Sequence, residues 1–391
     1  MTYKYPLATA TWDQAEYEAL QRVITSGMFT MGPNVFEFEK QFASYLGVKH
    51  CVMVNSGSSA NLLMVAALFY SKNPDLLLKA GDEVIVPAVS WSTTYYPLYQ
   101  YGLKIKFVDI DLHTLNYDLN ALANAVTGNT RLIMAVNLLG NPNDFDRIKS
   151  IVNGRKITLI EDNCESMGAE FYGKKTGTFG VMGSYSSFFS HHISTMEGGL
   201  ISTDDDELHH ILLSLRAHGW TRNLPKVNHV CSDKSDDLFK EQFRFVLPGY
   251  NVRPLEMSGA LGLEQVKKLP RLIEERRKNA AILQVAMADH PTLIIQKEIS
   301  SSSWFGFSLV IRPNTNLTRA QLVVKLNALG FEVRPIVTGN FAKNDVVRYF
   351  NSEIVGVLKN ADYIDQRGLF VGNHHYTMAE AIRVLSAVRE C

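Results

Sequence analysis

The chain has 391 residues, 46% of them hydrophobic and 20% charged, enough apolar material for a full core in a compact protein of about two domains. That composition excludes disordered, collagen-like and coiled-coil architectures. Thirty-nine Lys+Arg balance thirty-nine Asp+Glu, so no basic footprint marks a nucleic acid or an anionic membrane as a partner.

Met1 to Leu7 lacks the long apolar segment of a signal peptide. The longest apolar runs, such as Asn61 to Tyr70, fall well short of the roughly 20 residues that span a bilayer. The expectation is a soluble, cytoplasmic protein. From Gly47 to Thr203 short β-rich runs alternate with helix-like segments, the pattern of βα units closing a mainly parallel sheet. The predicted strands are Cys51 to Val54, Glu83 to Val86, Lys104 to Val108, Leu132 to Val136, Ile157 to Ile160 and Leu200 to Ser202. Between them Ser58 to Tyr70, Ser92 to Tyr101, Asn120 to Val126 and Asp144 to Ile151 read as helices with an apolar stripe. In such sheets ligands sit at the carboxyl ends of the strands.

Pro254 to His290 reads as one long helical segment that Pro270 kinks or splits. Its charge run, Arg271, Glu274, Glu275, Arg276, Arg277 and Lys278, is most simply a solvated face. Beyond it, predicted strands (Ser303 to Ile311, Phe331 to Arg334) and helices (Arg319 to Leu329, Met378 to Val388) indicate a smaller α+β unit. The expected division is 1–287 for the large domain and 288–391 for the small one. Cys51, Cys164, Cys231 and Cys391 show no close pair, so neither a disulfide framework nor a metal-ligand spacing is present, and no metal is expected.

Three motifs stand at strand ends. Asn55-Ser-Gly57-Ser58 is a small-residue turn opening a helix, whose free N–H groups and dipole suit a phosphate; an ordinary βα loop with a serine N-cap reads the same way. Asp162, at the end of Ile157 to Ile160, is placed to hold a ring nitrogen in its protonated form, or to serve as a helix cap or surface charge. The third is Gly183-Ser-Tyr-Ser186-Ser-Phe-Phe-Ser190-His191-His192-Ile-Ser-Thr-Met-Glu197-Gly-Gly199.

Together with Pro87-Ala-Val-Ser-Trp91, Glu161-Asp-Asn-Cys-Glu165 and Gly249-Tyr-Asn251-Val-Arg253, in that order along the chain, these motifs resemble the DegT/DnrJ/EryC1/StrS sugar aminotransferases, a family of pyridoxal phosphate (PLP) enzymes. The resemblance runs nearly end to end. It implies the aspartate aminotransferase-like α/β fold (PLP fold type I) and a homodimer with shared active sites. It also implies a cofactor site of Gly57, Ser58, Trp91, Asp162, Glu165 and Ser186 with Asn251 of the partner subunit. Trp91 would stack on the pyridine ring, although a core tryptophan reads the same way. Glu165 would lie near the ring hydroxyl, a salt bridge being the competing explanation. Arg222 and Arg334, and more weakly His218, are candidates for substrate anions, or for exposed ion pairs in the case of the arginines.

One departure redirects the chemistry. Where the family's aminotransferases carry the Schiff-base lysine, six residues before the Glu-Gly-Gly turn, this chain has His191, and no lysine occurs from Thr176 to Pro225. An imidazole cannot tether the cofactor, yet its ordinary pKa of about 6.5 suits general acid–base work. His192 is assigned no catalytic step. Within the family the pattern, with Val89 to Pro97, Arg216 to Asn223 and Arg334 to Asn340, resembles the C3-deoxygenating members that make colitose-type O-antigen sugars. This implies noncovalent PLP and pyridoxamine phosphate (PMP), L-glutamate as amino donor, a nucleotide-linked 4-keto-6-deoxy sugar (GDP-linked by resemblance) as substrate, and ammonia as a product. No iron–sulfur reductase partner is expected, because the C-terminal half has only Cys231 and Cys391. The alternatives are a nucleotide-sugar 4-aminotransferase using another lysine, such as Lys174 or Lys175, and a catalytically silent PLP-binding regulator.

Overall fold

The computed structural model describes residues 3–389; Cys391 lies outside them. An eight-stranded sheet forms the centre of the large unit. Seven of its strands are β1 (His50–Val54), β2 (Glu83–Pro87), β3 (Lys104–Val108), β4 (Thr130–Val136), β5 (Thr158–Asp162), β6 (Met182–Ser186) and β7 (Gly199–Thr203). Their order is β1-β7-β6-β5-β4-β2-β3, and Ser352–Ile354 closes the far edge beside β3. β7 runs antiparallel to both of its neighbours, while β2 to β6 pair in parallel. The sheet is therefore mainly parallel, as the sequence pattern predicts. β2 is buried along its whole length and β4 along nearly all of its own, which is why they read as apolar runs rather than alternating ones; β3 is as deeply buried although Lys104 and Lys106 alternate with its apolar residues.

β6 escaped the sequence reading because its residues, Met-Gly-Ser-Tyr-Ser, carry almost no apolar signal. Its composition has a steric cause: a Cβ on Gly183 would lie 2.4 Å from Gly177. The helix Gly57–Phe69 also differs from expectation. Leu63, Met64, Val65, Ala66, Ala67 and Leu68 are all fully buried, so it is apolar all round rather than striped, as a helix enclosed between the sheet and other helices must be.

The helix Glu256–Met287 runs through Pro270 without a break. Leu269, Leu272 and Ile273 pack into one cluster with Phe38, Phe42 and Met167; this burial offsets the roughly 3 kcal/mol that an interior proline costs. Its charge run is not wholly solvated either. Lys278 pairs with Glu274 at 2.9 Å and Glu275 at 2.8 Å on the outside, but Arg276 is buried and Arg277 reaches the carbonyl oxygens of Ser302 and Gly168. Past this helix, Leu293–Ile295, Gly306–Ile311, Gly368–Gly372 and Val333–Arg334 form a four-stranded antiparallel sheet over a second core containing Trp304, Phe307 and Phe331. Ser352–Ile354 crosses back from this part of the chain to the large sheet.

Arg216 is wholly buried and pairs with buried Glu39, also donating to the Met53 carbonyl at 2.7 Å. The pair ties the helices Pro33–Leu46 and Asp206–Arg216 to β1. Removing one partner strands a buried charge, so Arg216→Met is expected to lower the unfolding free energy by about 3–5 kcal/mol, read from the midpoint of urea denaturation.

Candidate active site

The carboxyl ends of β1, β4, β5 and β6 and the loop after β2 surround a cavity of about 350 Å³. At its end nearest β1, the chain turns at Ser56, whose side chain caps the helix Gly57–Phe69 by accepting from the Ser59 N–H at 3.1 Å. That helix N-terminus faces the cavity through Gly57 and Ser58. A Cβ on Gly57 would lie 2.8 Å from both Cys164 Sγ and Ser186 Cβ, so only glycine leaves the cradle open. Ser58 donates to Thr93 Oγ1 at 2.9 Å, and Ser186 Oγ accepts from the Phe188 N–H at 3.3 Å.

Asp162 ends β5 and lines the same space. Asn61 Nδ2 and Thr94 Oγ1 both donate to its Oδ2 at 2.8 Å, and the Cys164 N–H donates to Oδ1 at 3.1 Å. Sequence reasoning missed Asn61 and Thr94. The available signal was an amide one turn into an otherwise apolar helix, on the face of Gly57. Neighbouring Glu161 serves the scaffold instead, accepting from the N–H groups of Gly177, Phe179 and Gly180.

Glu165 lines the cavity and accepts from the Leu139 N–H at 3.1 Å. Burial, with the Asp162 charge adding to it, pushes its carboxyl up to about 7. It forms no ion pair among the described residues, which removes the salt-bridge explanation. Trp91 stands on the rim, 57% exposed, just before the helix Ser92–Gln100.

His191 lines the same cavity, its ring 5.1 Å from that of Phe305 and 5.9 Å from that of Phe188. Its Nδ1 is buried without a hydrogen-bond partner. Burial, reinforced by the charge of Arg276, lowers its pKa to about 4; the ordinary imidazole value assumed from sequence is thereby corrected. His192 is fully buried outside the cavity, with Nε2 3.2 Å from the Ser303 carbonyl oxygen.

Four expected site residues lie away from this cavity. Asn251 is exposed and accepts from Arg253 Nε. His218 packs edge-on to Trp220, and the Arg222 guanidinium lies 4.1 Å from the centre of the Trp220 ring. Arg334 is exposed and pairs with Glu332 at 3.2 Å, the ion pair that sequence reasoning left open. No lysine lines the cavity. Lys175 is bound to Glu170 at 2.9 Å and Lys174 packs over Phe179, both on a small hairpin elsewhere.

With this geometry established, the comparisons are specific. Residues 11–389 match the model of the DegT/DnrJ/EryC1/StrS aminotransferase family. The chain belongs to that family. The GDP-4-keto-6-deoxy-D-mannose 3-dehydratase of Yersinia pseudotuberculosis is 60% identical over 97% of both chains. Its counterpart in Escherichia coli O55:H7 is 61% identical over 98% of this chain and 99% of its own. A crystal structure of GDP-4-keto-6-deoxymannose-3-dehydratase with a trapped PLP-glutamate geminal diamine superposes with a TM-score of 0.96 at 61% identity, covering 98% of this chain and 99% of that one.

Gly57→Ala should leave the family fold intact but crowd the cradle. Overpacking of about 1–3 kcal/mol at the cradle corresponds to binding weaker by roughly 5- to 150-fold, with pyridoxal phosphate as the probe in equilibrium dialysis.

Proposed function

We propose that this protein catalyses the glutamate-consuming C3 deoxygenation of a nucleotide-linked 4-keto-6-deoxy sugar, GDP-4-keto-6-deoxy-D-mannose, yielding the 4-keto-3,6-dideoxy sugar, ammonia and 2-oxoglutarate. One observation carries the reading: an imidazole, and no amine, projects into a cavity otherwise built for a phosphorylated pyridine. The relatives named as 3-dehydratases support the same substrate. The trapped glutamate adduct in a relative supports the amino donor.

The residues fit PLP and PMP, bound noncovalently. A single carbon added at Gly57 would collide with Cys164 and Ser186 on the cavity lining, and His191 Nδ1 is an orphaned buried polar atom of another residue that lines it. Gly57, Ser58 and Ser186 would hold the phosphate at the helix N-terminus. Asp162, oriented by Asn61, Thr94 and the Cys164 N–H, would face the pyridine nitrogen. Glu165, a carboxyl that retains its proton near neutrality, would donate to the ring hydroxyl. Trp91 would cover one face of the ring.

When bound, PMP supplies an amine to the sugar's 4-keto carbon and a protonated pyridine that accepts electrons, a combination that lets the C3 hydroxyl depart. His191 takes the proton from C4′ of the cofactor and delivers one to the departing hydroxyl oxygen, so one side chain serves both transfers. With the electrons spent on breaking the C3–O bond, no redox partner is needed. The exposed positions of Asn251 and Arg222, with half-buried His218 beside them, suit a homodimer in which they would complete the neighbouring site; Arg334 is the remaining candidate for a substrate anion.

Supplying the GDP-linked keto sugar, PLP and glutamate should release ammonia and 2-oxoglutarate in equal amounts as the deoxy sugar forms. No ammonia with no deoxy product would leave only a silent binder. Borohydride treatment followed by peptide mass spectrometry is expected to find no pyridoxyl adduct on any lysine; such an adduct would favour the 4-aminotransferase.

His191→Asn should retain PLP while turnover falls by at least about a hundredfold, the lower range for general acid–base groups. Deoxygenation persisting in that variant would remove His191 from the role. His191→Lys should create a covalent attachment, visible as an absorbance spectrum distinct from that of free PLP.

A further inference from the structure

The inner face of the long helix holds a cation that no anion neutralises. Arg276 is buried and forms no ion pair among the described residues; its Nη1 donates to the carbonyl oxygens of Phe305, at 3.0 Å, and Asn373, and its Nε has no partner. A buried, unpaired guanidinium is costly, and such cost is kept most readily where the charge has a use.

The position of Arg276 indicates that use. Ser302 to Phe305 is clasped from several sides: Arg277 Nε donates to Ser302 O at 2.9 Å, His192 Nε2 to Ser303 O at 3.2 Å, and Arg276 to Phe305 O. The N–H groups of Ser303 and Phe305 bond Gly140 O and Leu139 O, and the Leu139 N–H in turn reaches Glu165. So fixed, the Phe305 ring packs against the rings of His191 and His192, at 5.1 and 5.6 Å. The groups facing His191 are His192 on its own loop, Arg276 on the long helix and, around the cavity, Asp162, Glu165 and Glu197.

We infer that Arg276 is a positioning residue for the proton transfers: through Phe305 it fixes the His191 ring, and its unpaired charge adds to burial in opposing storage of a proton on that imidazole, so that an acquired proton is driven onward. The inference rests on the role proposed above for His191. In balanced form, the cofactor's C4′–H bond breaks as N–H forms on His191. That N–H then breaks as O–H forms on the C3 oxygen, which leaves as water while the C3–O bond breaks. A positive neighbour opposes storage of the proton on the ring and favours its delivery. Burial is the larger cause of the depressed His191 pKa and Arg276 the second, so removing the charge raises that pKa without restoring it fully.

The test is imidazole NMR on PLP-loaded protein without sugar, His191 being assigned with the His191→Asn variant. In the unaltered protein His191 should stay neutral down to about pH 5.5; a midpoint near the ordinary value of about 6.5 would overturn the inference before any Arg276 variant is made. Arg276→Met should raise the midpoint by about one unit, and the acid limb of the kcat profile with it. Arg276→Lys should restore both. An unmoved titration in the methionine variant, or a lysine variant indistinguishable from it, would also refute the role. Because the NMR readout needs no sugar, the two failures are distinguishable: the expected titrations with no deoxy product would reject the proposed reaction and leave only the coupling of Arg276 to His191, whereas deoxy product with unmoved titrations would reject this inference alone.

Discussion

A carboxylate buried at the end of a parallel strand needs hydrogen-bond donors, and the way Asp162 obtains them organises the cavity. Its three donors come from different places: Asn61 from the helix after β1, Thr94 from the helix after β2, and the Cys164 backbone from its own turn. Two of them have a second tie. Asn61 Oδ1 accepts from Ser184 of β6 at 2.6 Å, and Thr94 shares a 2.7 Å hydrogen bond with Ser90, whose carbonyl accepts from Thr338. One buried acid thereby fixes the phosphate cradle, the Trp91 loop and the strand leading to His191 in a single hydrogen-bonded frame, and the C-terminal part of the chain is pinned to the same frame. Buried networks of this kind set geometry strongly when every member is satisfied.

Within that frame the replacement of a tethering amine by an imidazole changes what the protein must supply. A covalent bond would hold the cofactor whatever the fit of the remaining contacts. Without it, on the function proposed above, retention would depend on the helix N-terminus, the carboxylate and the aromatic rim together, leaving small steric tolerance at the cradle. The closeness of Cys164 and Ser186 to Gly57 follows from the same demand.

How much of this could be read from sequence depended on whether a residue's neighbours are local. β2, β4 and β5 were legible because burial on both faces favours apolar runs, and Trp91, Asp162 and Glu165 fall at or just past the ends of β2 and β5; Gly57 and Ser58 follow β1, while Ser186 and His191 were reached through the family motif that holds them. β6 was illegible because it packs by closeness of backbone rather than by apolar bulk, so its Gly and Ser residues resemble a loop. Gly368–Gly372, with a glycine at either end, was missed although it lies between two partner strands of the small sheet. Arg276 misled for the opposite reason: a charge within a run of charges reads as solvated, and only the crossing of the long helix over Ser302 to Phe305 buries it. The four outlying residues share no local signal with the cavity.

On the function proposed above, the partial burial of His191, whose Nδ1 is out of contact with solvent, gives its chemistry a direction. A strongly basic amine at this position would abstract a proton readily and then keep it, whereas a hydroxyl group departs easily only as its oxygen receives one. An imidazole lowered to about 4 by burial and by Arg276 is the weaker base and the stronger acid. The loss in abstraction is tolerable where the carbon acid is already activated by a protonated pyridine, and the gain falls on the step in which a poor leaving group must be made a good one. On this argument the histidine and the buried arginine form one device, with the fold of Ser302 to Phe305 as the part that couples them.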